Sequence, residues 1–348
     1  MLPPESASWL GPALLRDLCG GEPVPAAPLP PADVLVLAPW TESLRAWLAA
    51  RPGAVDASGR VCPAVCVPVA ATAGSGAVPE LACGCRLVPP ALPLLGGGVP
   101  ALWMADPEAV CETVAAVASR QDLAAQAILV TAGPTAEDID PVRFLTNRSS
   151  GLMGVALALA AWRRGAAVTL VHGPLQVAVP RLPGLETVPV RSAREMHAAV
   201  MGRIGTQAAA ILCAAVADFA PAHCEERKIK KAEQGGRTLE LQRTPDILAA
   251  VGALPRRPFL VGFAAETHDL EAHALEKLRR KNCDLLCAND VTEPGSGFAV
   301  ATNRITLFAR DGSVTPLPLL SKGAAAEQIL DRVVVGLAAG GSPPAARG

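Results

Sequence analysis

The chain has 348 residues, 51% hydrophobic and 18% charged, with a net charge of −1. That length supports two domains that each bury a core, and the composition excludes a disordered or fibrous chain. Near-neutral charge excludes bulk attraction to nucleic acid or an anionic membrane, and no apolar run reaches membrane-spanning length. The opening M-L-P-P-E-S does not read as a signal peptide, so a cytoplasmic protein is expected. Charge is unevenly placed. Residues 1–120 hold 6 basic and 10 acidic side chains, and residues 121–348 hold 25 and 22. The second part is therefore the one suited to an anionic ligand. Lysine is scarce: Lys228, Lys230, Lys231, Lys277, Lys281 and Lys322 are the whole set, against 25 arginines. Where a chain so biased to arginine keeps lysine, a compact ammonium is wanted rather than a planar fork, and the two clusters read as a polyphosphate site. The ten cysteines are scattered in apolar contexts such as Ile211-Leu212-Cys213-Ala214, and read as reduced thiols. Cys62, Cys66, Cys83 and Cys85 lack the paired C-x2-C knuckles of a structural zinc site.

In chain order, residues 1–31 are Pro-rich and irregular. Residues 32–39 (A-D-V-L-V-L-A-P) read as a buried strand, 41–50 as a short helix, and 52–100 show little periodicity. Asp106 opens a helix with Pro107 at its first position. Arg120 to Ala125 read as a linker. A regular alternation follows: strand 127–131, helix 151–164, strand 167–171, helix 192–202 with Ser192 as N-cap and Glu195 three residues on, strand 208–215. Strand 260–263, helix 270–281, strand 285–288, a hairpin of 304–310 and 313–317 around Asp311-Gly312, and helix 323–338 complete it. Residues 339–348 read as a flexible tail. Strand–helix alternation implies right-handed crossovers and an α/β fold with a Rossmann-like, mostly parallel sheet.

In open sheets of this kind ligands bind beyond the carboxyl ends of the strands. T-A-G-P-T (131–135), V-A-D-F (216–219), F-A-A-E-T (263–267) and A-N-D-V (288–291) each follow a strand. Ser149, Ser150 and Gly151 open a helix, whose amides and dipole suit an anion. Taken alone, that segment reads equally well as an ordinary capped helix. No G-x-G-x-x-G or Walker loop is present, which argues against a dehydrogenase.

Together, D-P-V-R-F-L-T-N-R-S-S-G-L-M-G (140–154), A-A-V-A-D-F (214–219), K-I-K-K (228–231), T-P-D-I-L (244–248), V-G-F-A-A-E-T (261–267) and K-L-R-R-K-N-C-D-L-L-C-A-N-D-V (277–291) resemble the phosphopantothenate–cysteine ligases. In bacteria that ligase is usually the C-terminal half of a bifunctional protein of coenzyme A synthesis. The resemblance runs from about 127 to 318. It implies that CTP activates the carboxylate of 4′-phosphopantothenate as an acyl-cytidylate, with Mg²⁺, and that the amine of L-cysteine then forms the amide.

By this resemblance Asn147 holds the activated acyl group and Arg143 supports it. Leu212, Cys213 and Ala214 accept the nucleotide through their backbone. Asp218 contacts the nucleotide or magnesium. Lys228 is the flexible-loop lysine acting on the intermediate. Pro245, Asp246, Ile247, Leu248 and Phe263 belong to the nucleotide pocket. Gly133, Ser149, Ser150 and Gly151 form a substrate and phosphate loop. The spacing of Lys277 and Lys281 puts both on one helical face, within reach of a triphosphate. Bland alternatives stand beside these roles: a turn-forming Asn147, an exposed Asp218, an Asp246 that merely starts a helix, and a basic helix end at 277–281. The family usually has Gly where Pro134 stands and often Lys where Leu152 stands.

Residues 1–122 resemble a truncated flavin-dependent decarboxylase, a reduced flavoprotein-like α/β remnant, with Cys83 in place of the acid cysteine. The first histidine of the chain is His172, so the decarboxylase's histidine is missing, and FMN is not expected. Residues 123–338 are then the ligase domain, and the resemblance implies a homodimer in which an arm over 220–243 closes on the neighbouring pocket. A bifunctional enzyme that also decarboxylates with FMN is the alternative. CTP over ATP rests on the resemblance alone.

Overall fold

The computed structural model describes residues 35–40, 64–68, 86–87, 92–94, 102–104, 106–230, 238–266, 269–290, 293, 297 and 300–340. Cys62, Cys83, Cys85, Lys231, the expected helix at 41–50 and residues 341–348 lie outside them. The chain divides into two compact units, Met1–Arg120 with Pro180–Leu182, and Gln121–Val179 with Pro183–Gly348. Among the described residues no helix is long and apolar enough to cross a membrane.

In the first unit β1 (Leu35–Trp40), β2 (Ala64–Pro68) and β3 (Arg86–Leu87) form a small parallel sheet. A hairpin of β4 (Leu92–Leu94) and β5 (Leu102–Met104) follows. Strands thus occupy parts of 52–100, where the sequence shows little periodicity; runs of two to five residues are too short to display any. Helix α1 (Pro107–Ala118) starts where expected, with Asp106 Oδ1 accepting the Glu108 amide at 3.0 Å.

The second unit is built on an eight-stranded sheet. It begins with β6 (Ala127–Ala132), a hairpin of β7 (Ala136–Asp138) and β8 (Phe144–Thr146), helix α2 (Leu152–Arg163), β9 (Ala167–His172), β10 (Leu185–Pro189) and α3 (Ala193–Met201). Then come β11 (Ala209–Leu212), a two-stranded ribbon of β12 (Phe219–Pro221) and β13 (Leu241–Arg243), the short α4 (Ile247–Gly252), β14 (Phe259–Glu266), α5 (Leu270–Arg280) and β15 (Leu285–Asp290). The chain closes with β16 (Thr302–Asn303), β17 (Thr306–Ala309), β18 (Val314–Pro316), β19 (Leu320–Ser321) and α6 (Lys322–Ala339).

Spatial order in the large sheet is β10-β9-β6-β11-β14-β15-β17-β18. The first six strands are parallel and the last two antiparallel. That is the doubly wound nucleotide-binding order, and it reverses between β6 and β11. The central strands are apolar throughout because helices cover both faces. One core gathers Leu129, Met196, Val200, Ile247, Val251, Leu260, Leu278 and Leu286, drawn from α3, α4, α5 and the strands beneath. Helix α2 packs on β6, β9 and α6. Among the described residues the expected strands and helices form, most with ends displaced by one to three residues. Strand β10, the β7–β8 hairpin and the β12–β13 ribbon were not anticipated.

The expected linker at 120–125 is instead folded. Leu123 is fully buried and donates its amide to the Arg164 carbonyl at 3.0 Å. Arg164 is 1% exposed. Its Nε and Nη2 bind both oxygens of Asp122 at 2.8 and 2.7 Å, while Nη1 reaches Asp331 at 2.8 Å. A buried guanidinium needs such partners to offset its desolvation. A fragment cut at 123 would lose Asp122 and with it two of these hydrogen bonds.

Candidate functional site

The point where strand order reverses sits between the loops that leave β6 and β11, and these loops are laced together. Thr131 Oγ1 accepts the Ala214 amide at 3.1 Å, and Thr135 Oγ1 accepts the Ala217 amide at 3.0 Å. The Gly133 carbonyl accepts the Ala215 amide at 2.9 Å. Thr244 Oγ1 donates to the Ala217 carbonyl at 2.6 Å, adding the segment before α4. Thr131, in β6, and Thr135, in the loop after it, are both buried, so their hydroxyls must find partners within the protein. Sequence reasoning assigned roles to Gly133 and Ala214 but missed Thr131, Thr135 and Thr244. The available signal was a threonine on either side of A-G-P at a strand end.

Asn147 spans this junction. Its Nδ2 donates to the carbonyls of Ala215 (3.1 Å) and Val216 (3.0 Å). Among the described residues no donor reaches its Oδ1. Asn147 follows β8, and that hairpin is bolted down. Glu137, buried, accepts the first amide of α3 at Ala193 (2.8 Å). Asp138 holds Arg191 in a two-point pair, and Thr146 Oγ1 donates to the Thr135 carbonyl at 2.7 Å. The carboxamide is thus positioned by backbone carbonyls 68 and 69 residues away, and its hairpin by partners 53 and 56 residues away.

Four residues on, Gly151 is the N-cap of α2, with a φ of +82° that no L side chain adopts without strain. Gly151 has no side chain with which to cap this N-terminus. The Ser149 and Ser150 hydroxyls accept the Gly151 and Leu152 amides at 3.3 and 3.4 Å, leaving the first helical turn to face an anion.

On the far side of β11, Lys277 Nζ donates to the Phe263 carbonyl at 3.0 Å. Phe263 and Leu248 are half-buried, as is Pro245. Lys281 departs from expectation. It lies just past the last residue of α5, is buried, and its ammonium is paired with Asp246. Spacing correctly put the two lysines one turn apart, but their ammonium groups meet different partners. Asp246 also caps α4, accepting the Ala249 amide at 2.9 Å, so the bland reading of T-P-D holds as well. Burial would raise the Asp246 carboxyl, but the Lys281 ammonium, the Ala249 amide and the Arg280 charge outweigh it and hold it below its ordinary value. A depressed folded-state pKa contributes stability that is present above the unfolded value and lost as pH falls through the folded one. Asp246 is half exposed, so water screens the pair. Asp246→Asn should therefore cost about 1 kcal/mol at about pH 7. The difference from the parent should shrink as pH falls from neutral to below the ordinary carboxylate range, as read by urea unfolding at both ends. An equal gap at both would refute the assignment.

Arg143 Nη1 pairs with Asp140 at 3.2 Å, and its Nη2 reaches the Ile229 carbonyl at 3.4 Å. Lys228 and Lys230 are exposed. The expected arm over 220–243 is rooted at both ends by the β12–β13 ribbon; 231–237 lie outside the described residues. Asp218 is exposed, and among the described residues no three His, Cys, Asp or Glu side chains group in a way that would hold a metal. A magnesium ion carried in by nucleotide phosphates needs few protein ligands, and Asp218 is the one carboxylate on offer at this loop. Burial pushes the Cys213 thiol up to about 12, countered in part by the Lys322 charge, so its side chain stays a protonated thiol.

Residues 123–337 match the family described as the DNA/pantothenate metabolism flavoprotein C-terminal domain, over more than half of the chain. The chain belongs to this family. The coenzyme A biosynthesis bifunctional protein CoaBC of Escherichia coli K12 is 47% identical over 235 residues, covering 66% of this chain and 57% of that protein. CoaBC of Vibrio cholerae is 49% identical over 210 residues, covering 60% and 52%. The chain thus spans about half the length of the curated relatives it matches. Among solved structures, the C-terminal domain of a CoaBC protein is 40% identical with a TM-score of 0.54, covering 63% of this chain and 99% of that one. A DNA/pantothenate metabolism flavoprotein from Streptococcus pneumoniae, 22% identical with a TM-score of 0.53, shares the fold.

Proposed function

We propose that the second unit joins 4′-phosphopantothenate to L-cysteine at the expense of CTP. The observation that carries this reading is Asn147, held across the reversal point between β6 and β11 beside the S-S-G start of α2. A carboxylate oxygen of phosphopantothenate attacks the α-phosphorus of CTP, and pyrophosphate leaves with its electron pair. The cysteine nitrogen then attacks the acyl carbon, CMP departs, and the nitrogen loses a proton as the amide forms. Each step gathers anions, and fixed donors stabilise charge without reorganising. The α2 amides, Asn147 and Lys277 are such fixed donors, while Lys228 arrives on the arm. Magnesium, carried by the phosphates, would neutralise charge on the leaving pyrophosphate. No step requires flavin, and the first unit has no assigned role in this reaction.

Pyrophosphate release from phosphopantothenate with CTP, ATP or UTP, with and without cysteine, tests the reading directly. Release with none of them would end it. Carbon dioxide release by a preparation carrying a flavin absorbance band would instead favour the bifunctional alternative. Lys277→Ala should weaken CTP binding by about 1–3 kcal/mol, the range for a hydrogen bond to a charged group. Unaltered affinity in titration calorimetry would remove Lys277 from the nucleotide site.

The partner we propose is a second copy of the chain. Val142, Phe144, Phe219 and Leu241 are 57%, 48%, 49% and 45% exposed, all on the β7–β8 hairpin and the β12–β13 ribbon. These two elements lie against each other, so the residues sit on neighbouring hairpins beside Asn147. Sedimentation should give a dimer, and a monomer with full ligase activity would contradict this surface assignment.

A further inference from the structure

Asp140 lies in the turn between β7 and β8, and no role has yet been attached to it. It is 1% exposed, yet it is a carboxylate. Its Oδ1 accepts the amides of Val142 (2.7 Å) and Arg143 (2.8 Å), which closes the turn. Its Oδ2 accepts Arg143 Nη1 (3.2 Å) and the amide of Ile229 (3.1 Å), 89 residues away. The segment carrying Lys228 is joined to the same turn twice more. The Glu225 amide donates to the Ile139 carbonyl at 2.9 Å, and Arg143 Nη2 reaches the Ile229 carbonyl. Burial would raise the carboxyl, but these amides and the Arg143 charge hold it below its ordinary value, so it accepts as an anion. One oxygen therefore organises the hairpin that ends in Asn147. The other fixes the residue next to Lys228.

We propose that Asp140 is a positioning residue that locks the foot of the Lys228 segment to the Asn147 hairpin, so that the two groups meet the substrate in one register. The catalytic half of this statement rests on the proposed ligase reaction; the mechanical half does not. Asp140→Asn separates the two oxygens. The retained Oδ1 still closes the turn, while the new Nδ2 faces two donors and cannot accept from Ile229. Asp138→Asn serves as a control, because it loosens the same hairpin at Arg191 without touching the segment.

Residue-resolved amide exchange on the full chain is the first readout. In the parent, the Ile229 amide should exchange at least about tenfold more slowly than those of Lys228 and Lys230, because only a bonded amide is protected. Asp140→Asn should abolish that protection and speed tryptic cleavage after Arg227 and Lys228 by about tenfold, while Asp138→Asn leaves both unaltered. Amide formation is the second readout. With Asp140→Asn kcat should drop about tenfold or more while the KM for CTP stays within about twofold, a split that general loosening would not produce. An unprotected Ile229 amide in the parent, protection that survives Asp140→Asn, or parental kcat in that variant would each overturn the proposal. A parent chain that makes no amide at all would instead refute the ligase reading, and the exchange result alone would then decide the lock.

Discussion

Asn147→Asp should cut amide formation by a factor of about 10²–10³, the usual cost of losing one fixed donor in a reacting site. The change is isosteric, so packing is untouched. Its chemistry is not. Where Nδ2 donated to the Ala215 and Val216 carbonyls at 3.1 and 3.0 Å, an oxygen now faces two oxygens. The side chain is exposed and can swing into water, which limits the loss of stability to about 1–2 kcal/mol. What is lost is the fixed geometry beside the start of α2, together with the neutrality of a site that must already collect a phosphate and a triphosphate. Pyrophosphate release and amide formation, measured separately, should fall unequally because the two half-reactions use different donors. A variant that forms amide at the parental rate would place the chemistry elsewhere.

The second large effect is on stability. Gly173, in the loop after β9, lies so close to the loop after β6 that a Cβ would sit 1.7 Å from the Pro134 carbonyl oxygen. That neighbour is backbone, and it is pinned from the other side by the Pro134–Ala215 bridge. It cannot rotate away as a side chain would. Gly173→Ala should therefore cost about 3 kcal/mol, the upper end for overpacking. For a unit of this size that is a fall in melting temperature of roughly 6–12 °C. Because the displaced carbonyl belongs to the loop laced to β11, ligase activity should fall at temperatures where the variant is still folded. A melting temperature within a degree of the parent would mean that the loops tolerate separation and the close approach carries no weight.

The sheet itself was legible in the sequence. A-I-L-V-T, A-A-I-L and L-L-C-A are apolar without interruption because strands buried on both faces need no polar side. Ser192 and Asp106 announced helix starts by local rules, and both caps are made, Ser192 Oγ accepting the Glu195 amide at 3.2 Å. The β7–β8 hairpin and the β12–β13 ribbon carried no such signal. Their strands are three residues long, too short to show a period, and the β7–β8 hairpin is held by Glu137, Asp138 and Asp140 reaching distant partners. No window of sequence contains those partners.

The same division runs through the site. Sequence alone determined which residue types gather after the strands: the S-S-G helix start, the asparagine of T-N-R, and lysines kept in a chain that otherwise prefers arginine. Their order along the chain was enough for the resemblance to a ligase family. Only the tertiary structure decided that Asn147 bridges two carbonyls of the β11 loop and that Lys281 spends its ammonium on Asp246. It also decided that Asp122 begins the unit as a partner of buried Arg164, where the sequence suggested a linker. Helix caps and apolar runs are short-range and repeat in every chain, so they can be read locally. The partner of a buried charge is whichever group the strand order brings within hydrogen-bonding distance, and that order is set by the packing of the whole sheet.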